Sequence, residues 1–176
     1  MKVSWAQLYN EVNNCEKCRL CETRTNVVPG EGDPHADLMF IGEGPGQDED
    51  LQGRPFVGVS GQLLTRMIQA MGMERTEVYI CNVVKCRPPR NRNPQPDEAA
   101  ACLNYLRAQV ALVRPKVVVL LGKVACQYTL GEQLFITRDH GQWRERKGVW
   151  FMPTFHPSAC CAIPPKSGTP GTISRR

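Results

Sequence analysis

The sequence predicts an α/β fold, a single α/β/α sandwich built on a central four-stranded parallel sheet. Three observations predict it. Four short apolar runs read as buried strands, and helical patterns fall between them. The polar motifs that stand out sit at the carboxyl ends of those runs, where open α/β sheets bind ligands.

Each element has a local reason. Residues 4–13 form an amphipathic stretch that Ser4 can cap. Residues 37–42 are the first apolar run. Residues 60–71 carry Leu63, Leu64, Met67 and Ile68 at helical spacing. Residues 78–84 are the second strand. Residues 97–113 read as a long helix, led in by Pro94 and Pro96. Residues 116–122 give the third strand, 123–130 a short helix and 149–155 the fourth strand. Strand–helix alternation of this kind implies parallel strands with helices on both faces.

Composition narrows the function. With 176 residues and 41% apolar content, the chain is globular and large enough for a real core. No apolar run approaches the roughly 20 residues needed to cross a membrane, and the start of the chain has no secretory pattern. A cytoplasmic location is expected. Nine cysteines in that compartment point to metal ligation for some of them rather than to disulfides. A net charge of +5 permits nucleic-acid binding without requiring it.

Two pairs of cysteines suit a metal centre. Cys15 and Cys18 form C-x2-C, and Cys86 and Cys102 stand farther along the chain. Thiolates of this kind suit zinc or an iron–sulfur cluster, and spacing alone leaves both open. Cys21 extends the first pair, but Thr25 stands where a ferredoxin run has its next cysteine, so Cys21 reads as a spare. Cys81 and Cys126 fall within predicted elements and read as small buried apolar residues.

Three polar motifs suggest a site for a planar ligand. In Gly42-Glu43-Gly44-Pro45-Gly46, Pro45 removes an amide donor, so a phosphate cradle is disfavoured. The glycines instead let backbone amides approach a flat ligand. Phe56 lies in a loop between turn formers and offers a stacking platform. Asn82 interrupts an apolar strand end, and its carboxamide can read a donor–acceptor edge such as a pyrimidine presents. Pro157 fixes the turn that aims His156.

Together these stretches resemble the family 4 uracil-DNA glycosylases, which carry a [4Fe-4S] cluster. The matching segments are Cys15-Glu16-Lys17-Cys18, the glycine motif with Glu49-Asp50, and Gly53-Arg54-Pro55-Phe56-Val57-Gly58. They continue with Cys81-Asn82-Val83-Val84-Lys85-Cys86-Arg87-Pro88-Pro89 and Phe155-His156-Pro157-Ser158. The resemblance runs from about Cys15 to Ala159. It implies a glycosylase domain over residues 1–159 that hydrolyses the N-glycosidic bond of deoxyuridine in DNA, releasing uracil and leaving an abasic site.

The resemblance also implies roles. Cys15, Cys18, Cys86 and Cys102 would hold a structural [4Fe-4S] cluster. Phe56 would stack on a flipped-out uracil, Asn82 would read its N3 and O4 edge, and amides around Glu43 and Gly44 would hold O2. His156 would support the developing charge on O2, and Glu43 would position water. Glu49 would help to exclude the methyl group of thymine. Arg87, Arg90, Arg92 and Ser158 would contact DNA. The expected partners are uracil-containing single- and double-stranded DNA, with a sliding clamp as a further candidate, no membrane, and a monomeric enzyme.

One segment departs from the family. After His-Pro-Ser-Ala the family continues with Leu-Leu-Arg and a helical end, but this chain reads Cys160-Cys161-Ala162-Ile163-Pro164-Pro165. The three prolines and two glycines of residues 160–171 are incompatible with a helix there. The codons TGC TGC GCN for Cys-Cys-Ala, read one base earlier after a C, give Leu-Leu-Arg. A frameshift near Ala159 therefore accounts for an atypical tail over residues 160–176, expected to be poorly ordered. Two other functions compete with the leading one. A catalytically silent, metal-stapled nucleic-acid-binding module would release no base. A nucleotide-binding enzyme would need a Walker lysine pattern that the sequence lacks.

Overall fold

The computed structural model describes residues 4–131 and 134–161. Its centre is a sheet of six strands in the order β1-β3-β2-β4-β6-β5. These are β1 Glu31–Gly32, β2 Leu38–Gly42, β3 Tyr79–Asn82, β4 Val117–Leu121, β5 Arg144–Arg146 and β6 Val149–Thr154. The four expected strands are β2, β3, β4 and β6, and they pair in parallel. Two short antiparallel edge strands, β1 and β5, extend the expected four-stranded sheet. Neither has the apolar run that announces a buried strand, because each is bonded on one side only.

The helices are α1 Trp5–Asn13, α2 Gln47–Gln52, α3 Val59–Ala70, α4 Pro96–Val113, α5 Lys123–Leu130, α6 Ile136–Asp139 and α7 Pro157–Cys161. Ser4 caps α1 as expected: its hydroxyl accepts from the Gln7 amide at 3.2 Å, and Gln7 returns a bond to the Ser4 amide. Contrary to the helical break expected after Ala159, α7 still includes Cys160 and Cys161. Residues 162–176, the rest of the unusual tail, lie outside the described residues.

Strand alternation divides the core between the two faces. Met39, Ile41, Tyr79, Cys81, Val118 and Leu120 point to one face and pack with Leu8, Leu106 and Ala125 from α1, α4 and α5. Phe40, Ile80 and Leu121 point to the other and pack with Leu64 and Ile68 of α3. The chain leaves β2 through α3 to reach β3 on one side. It then crosses through α4 to β4 on the opposite side of β2. This reversal opens a crevice at the carboxyl end of β2, where ligands bind in open α/β sheets.

Candidate active site and cysteine cluster

A cavity of about 570 Å³ occupies that crevice. Its lining includes Glu43, Gly44, Glu49, Phe56, Asn82, Arg92, His156 and Ser158, residues from segments more than a hundred positions apart. Arg87 and Arg90 lie outside this lining. Also around the cavity are Asn91 and Asn93, which sequence reasoning missed. Their available signal was a pair of Asn residues in a proline-rich loop, and Asn91 indeed takes a left-handed φ of 55°.

Asn82 ends β3 opposite Gly42 of β2, and the ladder continues with Val83 N–H on Gly42 O at 2.9 Å. The Asn82 side chain is buried, with 1% exposure, and its Oδ1 has no hydrogen-bond partner among the described residues. A buried acceptor left unpaired costs about 1–3 kcal/mol, which a ligand donor would recover. Gly42 makes room for this arrangement. A Cβ there would lie 2.4 Å from Asn82 Oδ1 and 2.5 Å from Cζ of Phe56.

Phe56 holds a left-handed φ of 51°, which a bulky residue adopts only when its surroundings enforce it. Several contacts do so. Gly61 of α3 approaches so closely that a Cβ would fall 1.9 Å from the Phe56 carbonyl oxygen. Arg75 donates to the Pro55 carbonyl, to Thr65 Oγ1 at 3.3 Å and to Glu31 at 2.8 Å. Glu49 binds the next two amides, accepting from Val57 at 2.8 Å and Gly58 at 2.9 Å. Its other oxygen takes the Gly46 amide at 3.1 Å, so Glu49 joins the glycine loop to the Phe56 loop.

His156 follows β6, and its ring centroid lies 5.7 Å from that of Phe56. The Ser158 amide donates to its Nδ1 at 3.2 Å, and Ser158 Oγ lies 2.7 Å from the same nitrogen. An amide can only donate, so Nδ1 carries a lone pair and the proton of the neutral ring sits on Nε2. Burial lowers the pKa of this imidazole, partly offset by the negative charge of Glu49. Glu43 is half-buried, and desolvation alone raises its carboxyl above the ordinary range.

The basic loop is less uniform than its sequence. Arg92 places its guanidinium fork on buried Glu98, at 2.8 and 2.7 Å, and also donates to the Asn93 carbonyl. Arg92 thus braces the loop against α4, whereas the sequence reading made it a phosphate contact. Arg87 donates to Asn91 Oδ1 at 2.7 Å, and Arg90 is exposed.

Cys15, Cys18, Cys86 and Cys102 come together beside α4 and pack against one core. Burial raises the pKa of Cys102 and pushes that of Cys86 up to about 11. In each case nearby cysteines add to the effect: Cys102 and Cys18 act on Cys86, and Cys18 and Cys15 act on Cys102. Arg24 spans both halves of the group, donating from one nitrogen to the Cys15 carbonyl at 2.7 Å and to Cys86 Sγ at 3.2 Å. Among the described residues, no three His, Cys, Asp or Glu side chains gather as the shell of one metal ion. The all-thiol donor set, with a guanidinium at one sulfur, fits an iron–sulfur cluster. Cys81 and Cys126 are fully buried, as their apolar reading predicts.

No helix among the described residues is long and apolar enough to cross a membrane. Comparison with known proteins gives a consistent picture. The model of the uracil DNA glycosylase superfamily matches residues 29–170. A type-4 uracil-DNA glycosylase of Sulfurisphaera tokodaii is 46% identical over 170 residues, covering 92% of this chain and 77% of that one. The type-4 enzyme of Thermotoga maritima is 49% identical over 151 residues, covering 84% and 78%. A type-5 uracil-DNA glycosylase of Pyrobaculum aerophilum is 31% identical over 182 residues, covering 85% and 80%.

Proposed function

The chain belongs to the uracil DNA glycosylase superfamily, with the type-4 enzymes among its relatives, and on that basis we propose that its cavity excises uracil from DNA. The reaction is hydrolysis of the N-glycosidic bond of deoxyuridine, which releases uracil and leaves an abasic site. One observation carries this reading: the buried, unpaired Oδ1 of Asn82 beside the edge of Phe56. Uracil is flat and presents an N3–H donor next to its O4 acceptor. A carboxamide supplies the matching acceptor and donor, while cytosine offers no N3–H.

A duplex hides the glycosidic bond, so the nucleotide must leave the stack to enter the cavity. Phe56 then stacks on the base, and Asn82 Oδ1 accepts from N3–H. As the bond breaks, the sugar becomes oxocarbenium-like and the base departs with negative charge. His156, neutral with its proton on Nε2, donates to the O2 oxygen as that charge grows. Glu43 holds water for attack on the sugar carbon. Glu49 shapes the wall near the base C5 position through the loop amides that it binds. Arg87, Arg90 and Ser158 contact the DNA backbone.

Cys15, Cys18, Cys86 and Cys102 would hold the [4Fe-4S] cluster. When bound, the cluster supplies a covalent staple between the N-terminal segment, the loop after β3 and α4. The protein is read as a monomer acting in the cytoplasm on uracil-containing single- and double-stranded DNA, with a sliding clamp as a further candidate partner. The domain is taken to end near Ala159.

Uracil release from a single-stranded oligonucleotide with one deoxyuridine tests the reading. Cluster-loaded protein should release the base, and Asn82→Ala and His156→Ala should each lose at least about a hundredfold in rate. A colourless protein that binds DNA and frees no base would instead support the silent binding module.

A further inference from the structure

Lys85 is a buried lysine that the excision chemistry leaves unused. It is 1% exposed. Its Nζ donates to the Asn82 carbonyl oxygen at 2.6 Å and to Gln109 Oε1 at 2.6 Å. Gln109, on α4, is itself fixed: its Nε2 donates to the Pro29 carbonyl at 2.7 Å and to the Tyr79 hydroxyl at 3.1 Å.

The Asn82 carbonyl sits where β3 ends and the chain turns toward Cys86. A buried carbonyl there needs a donor, and Lys85 provides one from three residues downstream. This contact fixes the peptide plane that follows Asn82. It thereby sets the direction in which the Asn82 side chain leaves the backbone. A carboxamide that must meet a base edge cannot drift: about 1 Å of misplacement can cost on the order of a hundredfold in rate.

We propose that Lys85 is a positioning residue for base recognition, acting through the Asn82 carbonyl and braced on α4 by Gln109. The proposal rests on the reading of Asn82 as the group that recognises uracil. Lys85 touches no substrate. Because α4 also carries Cys102, the same contact ties the aim of Asn82 to the helix that bears a cluster ligand.

The test is a double-mutant cycle in cluster-loaded protein, using the single-stranded deoxyuridine oligonucleotide. Lys85→Met should lower kcat by about ten- to a hundredfold, with KM within about twofold because the phosphate contacts lie elsewhere. In the Asn82→Ala background, adding Lys85→Met should cause no further loss beyond about twofold. Gln109→Leu serves as a second variant should Lys85→Met fail to accumulate with its cluster. Its loss is smaller, about threefold, and should likewise vanish in the Asn82→Ala background. Losses that multiply in the double variants, or an unchanged kcat in Lys85→Met, would overturn the proposal. An Asn82→Ala protein with full activity would instead remove the reading of Asn82 itself, and this proposal with it.

Discussion

The carboxamide of Asn82 lies against the bare Cα of Gly42. A methyl group on Gly42 would stand 2.4 Å from Asn82 Oδ1, and it would also strike the Phe56 ring. The two groups proposed to recognise the base therefore converge on one glycine. Gly42→Ala should displace both side chain ends while leaving the strand intact, since Gly42 closes β2 in ordinary extended pairing. The expected loss of uracil excision is about a hundredfold with a thermal midpoint near that of the parent. Rate and melting temperature measured on one preparation check this, and a large drop in both would assign Gly42 to folding alone.

The pH dependence follows from two groups. His156 must be neutral to leave Nδ1 as an acceptor for the Ser158 amide, and burial favours that form by lowering its pKa. In its proposed role of holding water Glu43 must be ionised, and burial opposes that by raising its pKa. Both requirements fail as pH falls, so kcat should show a single-sided acid limb. A stability effect of opposite sense accompanies it. Glu43 has a folded pKa above its unfolded value, so its ionisation destabilises the protein as pH rises through that interval. Glu43→Gln should therefore raise the melting temperature at pH 7. The gain should disappear below the ordinary glutamate value of 4.5.

The arginines should separate by salt dependence. Arg87→Ala and Arg90→Ala should each reduce the slope of log affinity against log salt by about one for duplex DNA. Arg92→Ala should leave that slope nearly unchanged. It uncovers buried Glu98, whose carboxylate Arg92 holds below the ordinary range. Removing the guanidinium fork leaves that buried carboxylate short of its main partner, so a lowered melting temperature is the expected signature.

The segment after Ala159 makes a separate prediction. The family resemblance implies that the apolar pair of Leu-Leu-Arg wedges into the duplex, so a protein with Leu-Leu-Arg restored in place of Cys160-Cys161-Ala162 should gain excision from duplex DNA and gain less on single strands, where no stack must be opened. Equal gains on both substrates would contradict the wedge. Resequencing the gene tests the frameshift directly: a frame that cannot yield Leu-Leu-Arg would sink that explanation.

Much of this molecule was legible from its residues. Apolar runs marked β2, β3, β4 and β6: β2 and β3 are buried almost throughout, as strands covered on both faces must be, whereas β6 buries Phe151 and Pro153 and leaves Trp150 exposed. Ser4 and Gln7 marked the start of α1 because a capping box is local chemistry. Phe56, Asn82 and His156 could be named because each is polar or aromatic where its surroundings favour something else. The edge strands β1 and β5 were not legible, since their pairing lies with distant partners and not in their own pattern.

The tertiary structure decided which partner each polar group has. Four arginines and lysines between Lys85 and Arg92 look alike in sequence. Only the fold brings Glu98 under Arg92 and Gln109 under Lys85, because α4 returns across the loop that follows β3. The same holds for Glu49, whose oxygens are taken by amides up to nine residues away. Periodicity, capping and spacing are properties of neighbouring residues, so the chain alone determined its layers, its candidate ligands and the end of the sheet where they meet. Hydrogen-bond partners and close approaches such as that of Gly42 to Asn82 depend on distances between segments, and those exist only once the sheet has formed.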